Sequence, residues 1–377
     1  MHILFVNPGL FNSGAPKILA WVANQLSTYP ELHVTVLTYY SMPVQQCLAS
    51  KVQFDCLNLP RKSWIYNNTV GIIVTVRRIL EYINKKRPDV VISFGDMFSS
   101  LMLGRKRSIF SKVIVCERGD PYCTYTLWEV LRRKVLYKRA DGMVFQTKGA
   151  RQWYHEEKHD YSAVIPNPVI GEKTQRLKAS ERNNTIAFVG RYEHVVKRQD
   201  VMLSAFQQLI KRYPEHRDLK LVFYGTGIPK EVNWLKKIIA ALQLNEYVKL
   251  AGSVSPIQEY IRAAKLFVMT SDHEGIPNAL IEAMQLGIPC ISTDCSPGGA
   301  RLLIDNEKNG LLVPRGDVGA IVSAMHELLT NEDKADLLGE NAQGIVDTFS
   351  EDKINMMWYD YVISFANKRN REYDAHK

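Results

Sequence analysis

Short, β-rich apolar runs alternate with longer, helically spaced segments along almost the whole chain, and they fall into two sets. The first set is Ile3–Val6, Val34–Leu37, Val90–Ser93, Val113–Cys116, Met143–Phe145 and Ala163–Ile165. The second is Thr185–Val189, Leu219–Phe223, Tyr247–Leu250, Leu266–Met269, Cys290–Ser292 and Leu311–Val313. Runs this short and this continuously apolar are buried on both faces, as parallel strands are. Helical spacing fills the gaps, at Ile18–Leu26, Ile72–Ile83 and Leu127–Tyr137, then at Gln199–Lys211, Glu231–Leu242, Asn278–Leu286, Val318–Leu329 and Lys334–Thr348. This alternation predicts an α/β protein of two Rossmann-like, doubly wound domains facing a cleft.

A chain of 377 residues is long enough for two domains with separate cores. Two prolines, a glycine and a polar run, from Pro166 to Asn184, mark the break. The expected division is 1–170, a linker at 171–184, a second domain at 185–350, and a terminal segment 351–377. That segment carries Met356, Met357, Trp358, Tyr361, Val362 and Phe365 and is expected to pack back on the body, crossing to the first domain.

In open parallel sheets, ligands bind where strands end and helices begin. The loop and helix after Leu266–Met269 are therefore the first place to look. Pro277 suits a first helical turn and Gly287 the position just past the end. Glu274 then lies in the loop, and Glu282 about one and a half turns into the helix. The amides of Gly275, Ile276 and Asn278 can meet an anion or sugar hydroxyls. A carboxylate accepts paired hydrogen bonds, which suits sugar and ribose hydroxyls. Two acidic residues near a helix start also have a plainer explanation in the helix dipole, and by spacing alone the two stand about level.

The segment from Glu274 to Asp294, EGIPNALIEAMQLGIPCISTD, resembles the E-x7-E motif of glycosyltransferase family 4, retaining enzymes of the GT-B fold. Other landmarks occur in order: PDVVISFG (Pro88–Gly95), VIPNPV (Val164–Val169), AFVGRYEHVVKRQD (Ala187–Asp200) and LVFYGTGIP (Leu221–Pro229). The resemblance assigns Arg191 and Lys197 to the donor diphosphate, Glu274 to the sugar and Glu282 to the ribose. It adds Gly225, Gly298, Gly299 and, through Asn12-Ser13-Gly14, Gly14 to the backbone that approaches the donor. Arg198 stands where the family often has glycine, and Leu302 where it often has Glu. Glu117-Arg118-Gly119-Asp120-Pro121 resembles the S-E-R-N-D-P loop of surface-polysaccharide enzymes, so Glu117, Arg118 and Asp120 are expected near acceptor or sugar.

No D-x-D motif occurs, no His cluster has zinc spacing, and no C-x-x-C pair is present. Metal-independent transfer from a nucleotide sugar, with UDP as the expected nucleotide and no cofactor, is what the resemblance implies. The six cysteines fall in or beside apolar runs and read as buried reduced thiols of a reducing compartment. No signal peptide or membrane span is visible. Residues 1–180 hold 25 Lys and Arg against 13 Asp and Glu, whereas residues 181–377 hold 23 against 26. The basic excess sits at Lys85–Arg87, Arg105–Arg107, Arg132–Lys134 and Lys138–Arg139. It points to a diphosphate-linked acceptor or an anionic membrane surface at the inner face of the cytoplasmic membrane. The basic clusters lack interleaved aromatics, which argues against nucleic acid. A UDP-sugar 2-epimerase on the same fold, or a non-catalytic partner subunit, are the rival readings.

Overall fold

The computed structural model describes residues 1–11, 14–60, 69–94, 101–123, 126–154 and 161–374. Asn12, Ser13 and Gly95 of the expected landmarks lie outside them. The chain forms two compact units, Met1–Pro168 with Asp352–Lys377, and Val169–Glu351.

The first unit has seven strands: β1 (His2–Asn7), β2 (His33–Tyr40), β3 (Gln53–Leu59), β4 (Val90–Ser93), β5 (Lys112–Glu117), β6 (Gly142–Phe145) and β7 (Ser162–Val164). They form one sheet in the order β3-β2-β1-β4-β5-β6-β7, and every pair is parallel. The central strands are buried throughout, which is why they read as unbroken apolar runs. The sequence gives no such signal for β3. It is an edge strand, its residues are mostly half-exposed, and it carries Asp55 and Asn58.

The second unit has six strands: β8 (Asn183–Val189), β9 (Lys220–Tyr224), β10 (Val248–Gly252), β11 (Ala264–Met269), β12 (Cys290–Thr293) and β13 (Leu311–Val313). Their order is β10-β9-β8-β11-β12-β13, again all parallel. The helices Gln199–Arg212 and Val318–Thr330 bury Phe206, Leu209, Ile321 and Met325 in the same apolar cluster as Phe223 and Leu266. Both sheets thus have the doubly wound arrangement expected from the alternation.

Four expectations need correction. The segment 171–184 is not a free linker but part of the second unit. Its charges are used there: Arg176 pairs with Asp336 at 2.5 Å, and Gln285 donates to the carbonyls of Ile170 and Glu172. Buried Arg182 donates to the carbonyls of Arg262, Ala264 and Gly287, and burial lowers its pKa to about 10. Polar composition suggested solvent where polar side chains in fact satisfy buried carbonyls. The helix expected at Leu127–Tyr137 is broken into an α segment Leu127–Leu131, a wide turn Arg132–Leu136 and a tight one Tyr137–Arg139. Helical spacing at Lys334–Thr348 likewise divides into Glu332–Ala342 and Ile345–Thr348, with Gly344 between them. Of the cysteines, Cys116, Cys290 and Cys295 are buried, with Cys116 and Cys295 pushed up to about 12 by burial, but Cys47 is exposed.

The terminal helix Glu351–Asp374 packs on the first unit. Ile354, Trp358, Val362 and Phe365 recur at helical spacing and are all buried. Trp358 stacks on Phe94, and Tyr359 stacks on Tyr29 while its hydroxyl donates to Glu31. At Gly142 the helix comes close to β6. A side chain there would start 2.4 Å from the ring of Phe365, so only glycine fits. Met356 and Met357, expected in the contact, point outward instead.

Replacing Trp358 with Ala removes a side chain that is 1% exposed. It should cost the first unit about 3–5 kcal/mol, measured by urea unfolding of that unit. Met356→Ala, on the exposed side of the same helix, should change little.

Candidate active site

The order of the second sheet reverses direction between β8 and β11, because the chain winds outward from β8 on one side and from β11 on the other. Loops leaving these two strands diverge, and the space between them is where such sheets bind ligands. Lys197 follows β8 and Glu274 follows β11. The structure brings them together: the Lys197 ammonium donates to Oε1 of Glu274, which also accepts from the Ser271 hydroxyl at 2.8 Å. Both side chains are mostly covered, Lys197 at 16% and Glu274 at 14% exposure, so the pair is shielded but still reachable from solvent.

The two loops are stitched at several points. Asp272 N–H donates to Val196 O, and the Thr270 hydroxyl donates to the carbonyls of Lys197 and Arg198. Lys197 ends a single helical turn, His194–Lys197, and Arg198 follows in the left-handed region at φ +50°. A side chain is strained there, which accounts physically for a preference for glycine at this point. In this chain the arginine is held by charge instead. Its guanidinium takes both Asp200 and Asp272, and hydrogen bonding to these carboxylates raises its pKa. The backbone turn is therefore made, with Arg198 turned aside into a local network.

The helix Asn278–Gln285 begins immediately after Pro277 and ends before Gly287, whose φ of +62° closes it. Asn278 and Glu282 share one face, one turn apart. Gly275 and Ile276 are buried, and among the described residues their amides have no hydrogen-bond partner. Unpaired amides beside a helix N-terminus favour anions and hydroxyl oxygens. Gly299, which starts the helix Gly299–Leu303, lies against this loop: a Cβ there would fall 1.8 Å from the Gly275 carbonyl oxygen. The need for glycine at Gly299 is thus packing on Gly275. Gly298 has a φ of +98°, and Arg301 forms a forked pair with Asp294. At Gly225, on the other side of β8, a Cβ would overlap the Gly190 carbonyl at 2.0 Å, so this glycine lets two loops touch.

Other expected residues are placed differently. Arg191 is 77% exposed and pairs with Glu193 at 3.1 Å, not with Glu274. Gly14 opens the helix Gly14–Leu26 after β1 in the first unit and is exposed. Glu117 is buried, accepting from Tyr154 Oη at 2.5 Å and lying 3.2 Å from Arg133. Burial, with the Glu117 charge next, raises the Tyr154 pKa well above its ordinary value. Asp120 is buried too and accepts from Tyr122 N–H. Arg118 lies over Phe94 and donates to Asn167, and burial lowers its pKa to about 10. Glu117 and Arg118 thus face inward, where they tie the end of β5 to Tyr154, Arg133 and, after β7, Asn167.

Sequence reasoning assigned no role to Ser271, Asp272 and Thr270. The signal was available, since three consecutive polar residues follow the apolar run Leu266–Met269, and Thr270 and Ser271 are fully buried. It also missed a cluster of Glu215, His216 and His326, because these residues are far apart in the chain.

Residues 169–344, nearly the whole second unit, match the family described as "Glycosyl transferases group 1". The second unit is that of a group 1 glycosyltransferase, and the chain has the GT-B fold. Over its full length it is 24% identical to a Campylobacter jejuni enzyme, covering 97% of this chain and 99% of that one. That enzyme is named GalNAc-alpha-(1->4)-GalNAc-alpha-(1->3)-diNAcBac-PP-undecaprenol alpha-1,4-N-acetyl-D-galactosaminyltransferase. It is also 24% identical to an amylovoran biosynthesis glycosyltransferase of Erwinia amylovora, over 88% of this chain and 90% of that one. Among solved structures, HepE of Anabaena in complex with UDP and glucose has a TM-score of 0.79 at 16% identity, over 97% of this chain and 100% of that one. The glycosyltransferase also shares that two-domain fold across both sheets.

Two substitutions separate packing from chemistry. Gly299→Ala should destabilise the second unit by about 1–3 kcal/mol, because the Gly275 loop must move. Gly319→Ala, in a helix where a Cβ would meet only Asp317 Oδ1 at 3.4 Å, should not. In the first unit, Glu117→Gln leaves Arg133 without its partner and should cost about 3–5 kcal/mol, read by chemical denaturation.

Proposed function

We propose that the glycosyltransferase moves a hexose or N-acetylhexosamine from a UDP sugar to a lipid-diphosphate-linked oligosaccharide in surface-polysaccharide synthesis, with retention of configuration. The observation that carries this reading is the contact of Lys197 with Glu274 at the point where the second sheet reverses. A cation and a carboxylate held side by side, next to unpaired amides, match the two ends of a sugar diphosphate. In the reading proposed, Lys197 and Arg191 take the diphosphate, with Arg191 swinging from Glu193. The amides of Gly275 and Ile276 join them, Glu274 turns to the sugar, and Glu282 and Asn278 take ribose hydroxyls.

Retention follows if the acceptor hydroxyl attacks from the face that the diphosphate leaves. The C1–O bond to UDP breaks, the new glycosidic bond forms, and a diphosphate oxygen takes the hydroxyl proton. Negative charge grows on the leaving diphosphate, and preorganised cations and amides stabilise it there. In this reading Lys197 and the helix start supply that stabilisation, and the transfer calls on no metal ion. The basic first half supports an acceptor that carries a diphosphate, presented at the inner face of the cytoplasmic membrane. Among the described residues no helix is long and apolar enough to cross a membrane, which suits peripheral attachment. The names of the Campylobacter and Erwinia relatives, and the UDP in the HepE complex, support the same choice of acceptor, pathway and nucleotide.

Lys197→Ala should lower transfer by about 10²–10³-fold, the usual cost of removing one preorganised donor. The assay supplies UDP sugars and a polyprenyl-diphosphate oligosaccharide, with product read by mass, with and without EDTA. Near-normal transfer by the variant contradicts the assignment of Lys197. A UDP-sugar epimer released without acceptor would instead identify an epimerase, and UDP binding with neither product a non-catalytic subunit.

A further inference from the structure

We infer that Glu215, His216 and His326 form a binding site for a divalent transition metal such as zinc, separate from the sugar-nucleotide site. His216 Nε2 and His326 Nδ1 face each other at 3.1 Å. One ring nitrogen of each histidine and one carboxylate oxygen of Glu215 all lie within 4.8 Å of one another. Tetrahedral zinc, with Zn–N bonds of about 2.0–2.1 Å, spaces two nitrogen ligands by roughly 3.3 Å, so the imidazole pair is already close to ligand spacing. Imidazole and carboxylate together are a donor set that suits zinc among common metals.

The rings are held in place before any ion arrives. Tyr213 stacks on His326 at 3.6 Å and 8°, and His216 meets His326 edge-on. His216 is buried, and Glu215 is exposed at the rim. Such fixed orientation is what tight metal sites require of their ligands. Three protein ligands leave a fourth position for water.

Location argues for a brace. His216 ends the turn Pro214–His216 that precedes β9, and His326 lies near the end of the helix that follows β13. Both therefore sit at the edge where strands begin, whereas Lys197 and Glu274 sit where strands end. A bound ion would clamp the turn to the helix Val318–Thr330 and stabilise the second unit without entering the transfer reaction.

The test uses the full chain stripped of metal with a chelator. Zinc chloride is added and followed by thermal denaturation and calorimetry, and cobalt chloride by its visible absorption. Saturable 1:1 binding, a raised melting temperature and a tetrahedral cobalt band are expected. His326→Ala should lose all three, and Glu215→Ala, at an exposed position, should weaken them without disturbing the fold. UDP binding should stay the same in both variants. Absence of a zinc-dependent shift in the intact chain, or a shift that persists in both variants, would overturn the site and leave a hydrogen-bonded histidine pair. Neither result bears on whether Lys197 acts in transfer.

Discussion

A parallel sheet wound outward in both directions leaves two neighbouring strands whose following loops separate. In the second unit these strands are β8 and β11, and nearly every unusual residue near them serves the gap. Gly225 lets the loop after β9 touch the Gly190 carbonyl after β8, and Gly299 lets the loop after β12 lie against the Gly275 carbonyl after β11. The strained Arg198 turn is tied to Asp272 across the gap. Lys197 and Glu274 meet across the gap on loops that the Thr270, Asp272 and Arg198 hydrogen bonds join. The backbone arrangement comes first, and the charge pair depends on it.

The same dependence explains which charges are available. Several charged residues around the site are consumed by the scaffold: Arg198 by Asp200 and Asp272, Arg301 by Asp294, and Arg182 by carbonyls at the end of the site helix. In the first unit, Glu117 and Arg118 serve internal packing in a similar way. Lys197 and Glu274 differ because their contact joins the two loops at the reversal of the sheet. A ligand with a phosphate end and a hydroxyl end can replace both halves of that contact, so neither charge is left uncompensated when it binds.

The sequence shows clearly whatever is governed by local period or local stereochemistry. Twelve strands were legible as short apolar runs, most of them apolar because both faces are buried, and Pro277 and Gly287 marked the site helix through backbone preference. Strand β3 was not legible, because an edge strand need not be apolar. The segment at 171–184 misled because side chains that satisfy buried carbonyls have the composition of a linker. The contact of Lys197 with Glu274 could be suspected only by resemblance, since it joins residues far apart in the chain. The pairing of His216 with His326 carried no sequence signal for the same reason.

The central claim is that one side of the Lys197–Glu274 contact receives phosphate and the other receives sugar. Calorimetry with UDP and with a matched UDP sugar, on Lys197→Ala and Glu274→Ala, tests it most directly. The account predicts that Lys197→Ala weakens binding of both ligands. Glu274→Ala should leave UDP affinity intact and remove only the additional affinity due to the sugar. Equal losses for both ligands in Glu274→Ala, or undiminished UDP binding in Lys197→Ala, would contradict it.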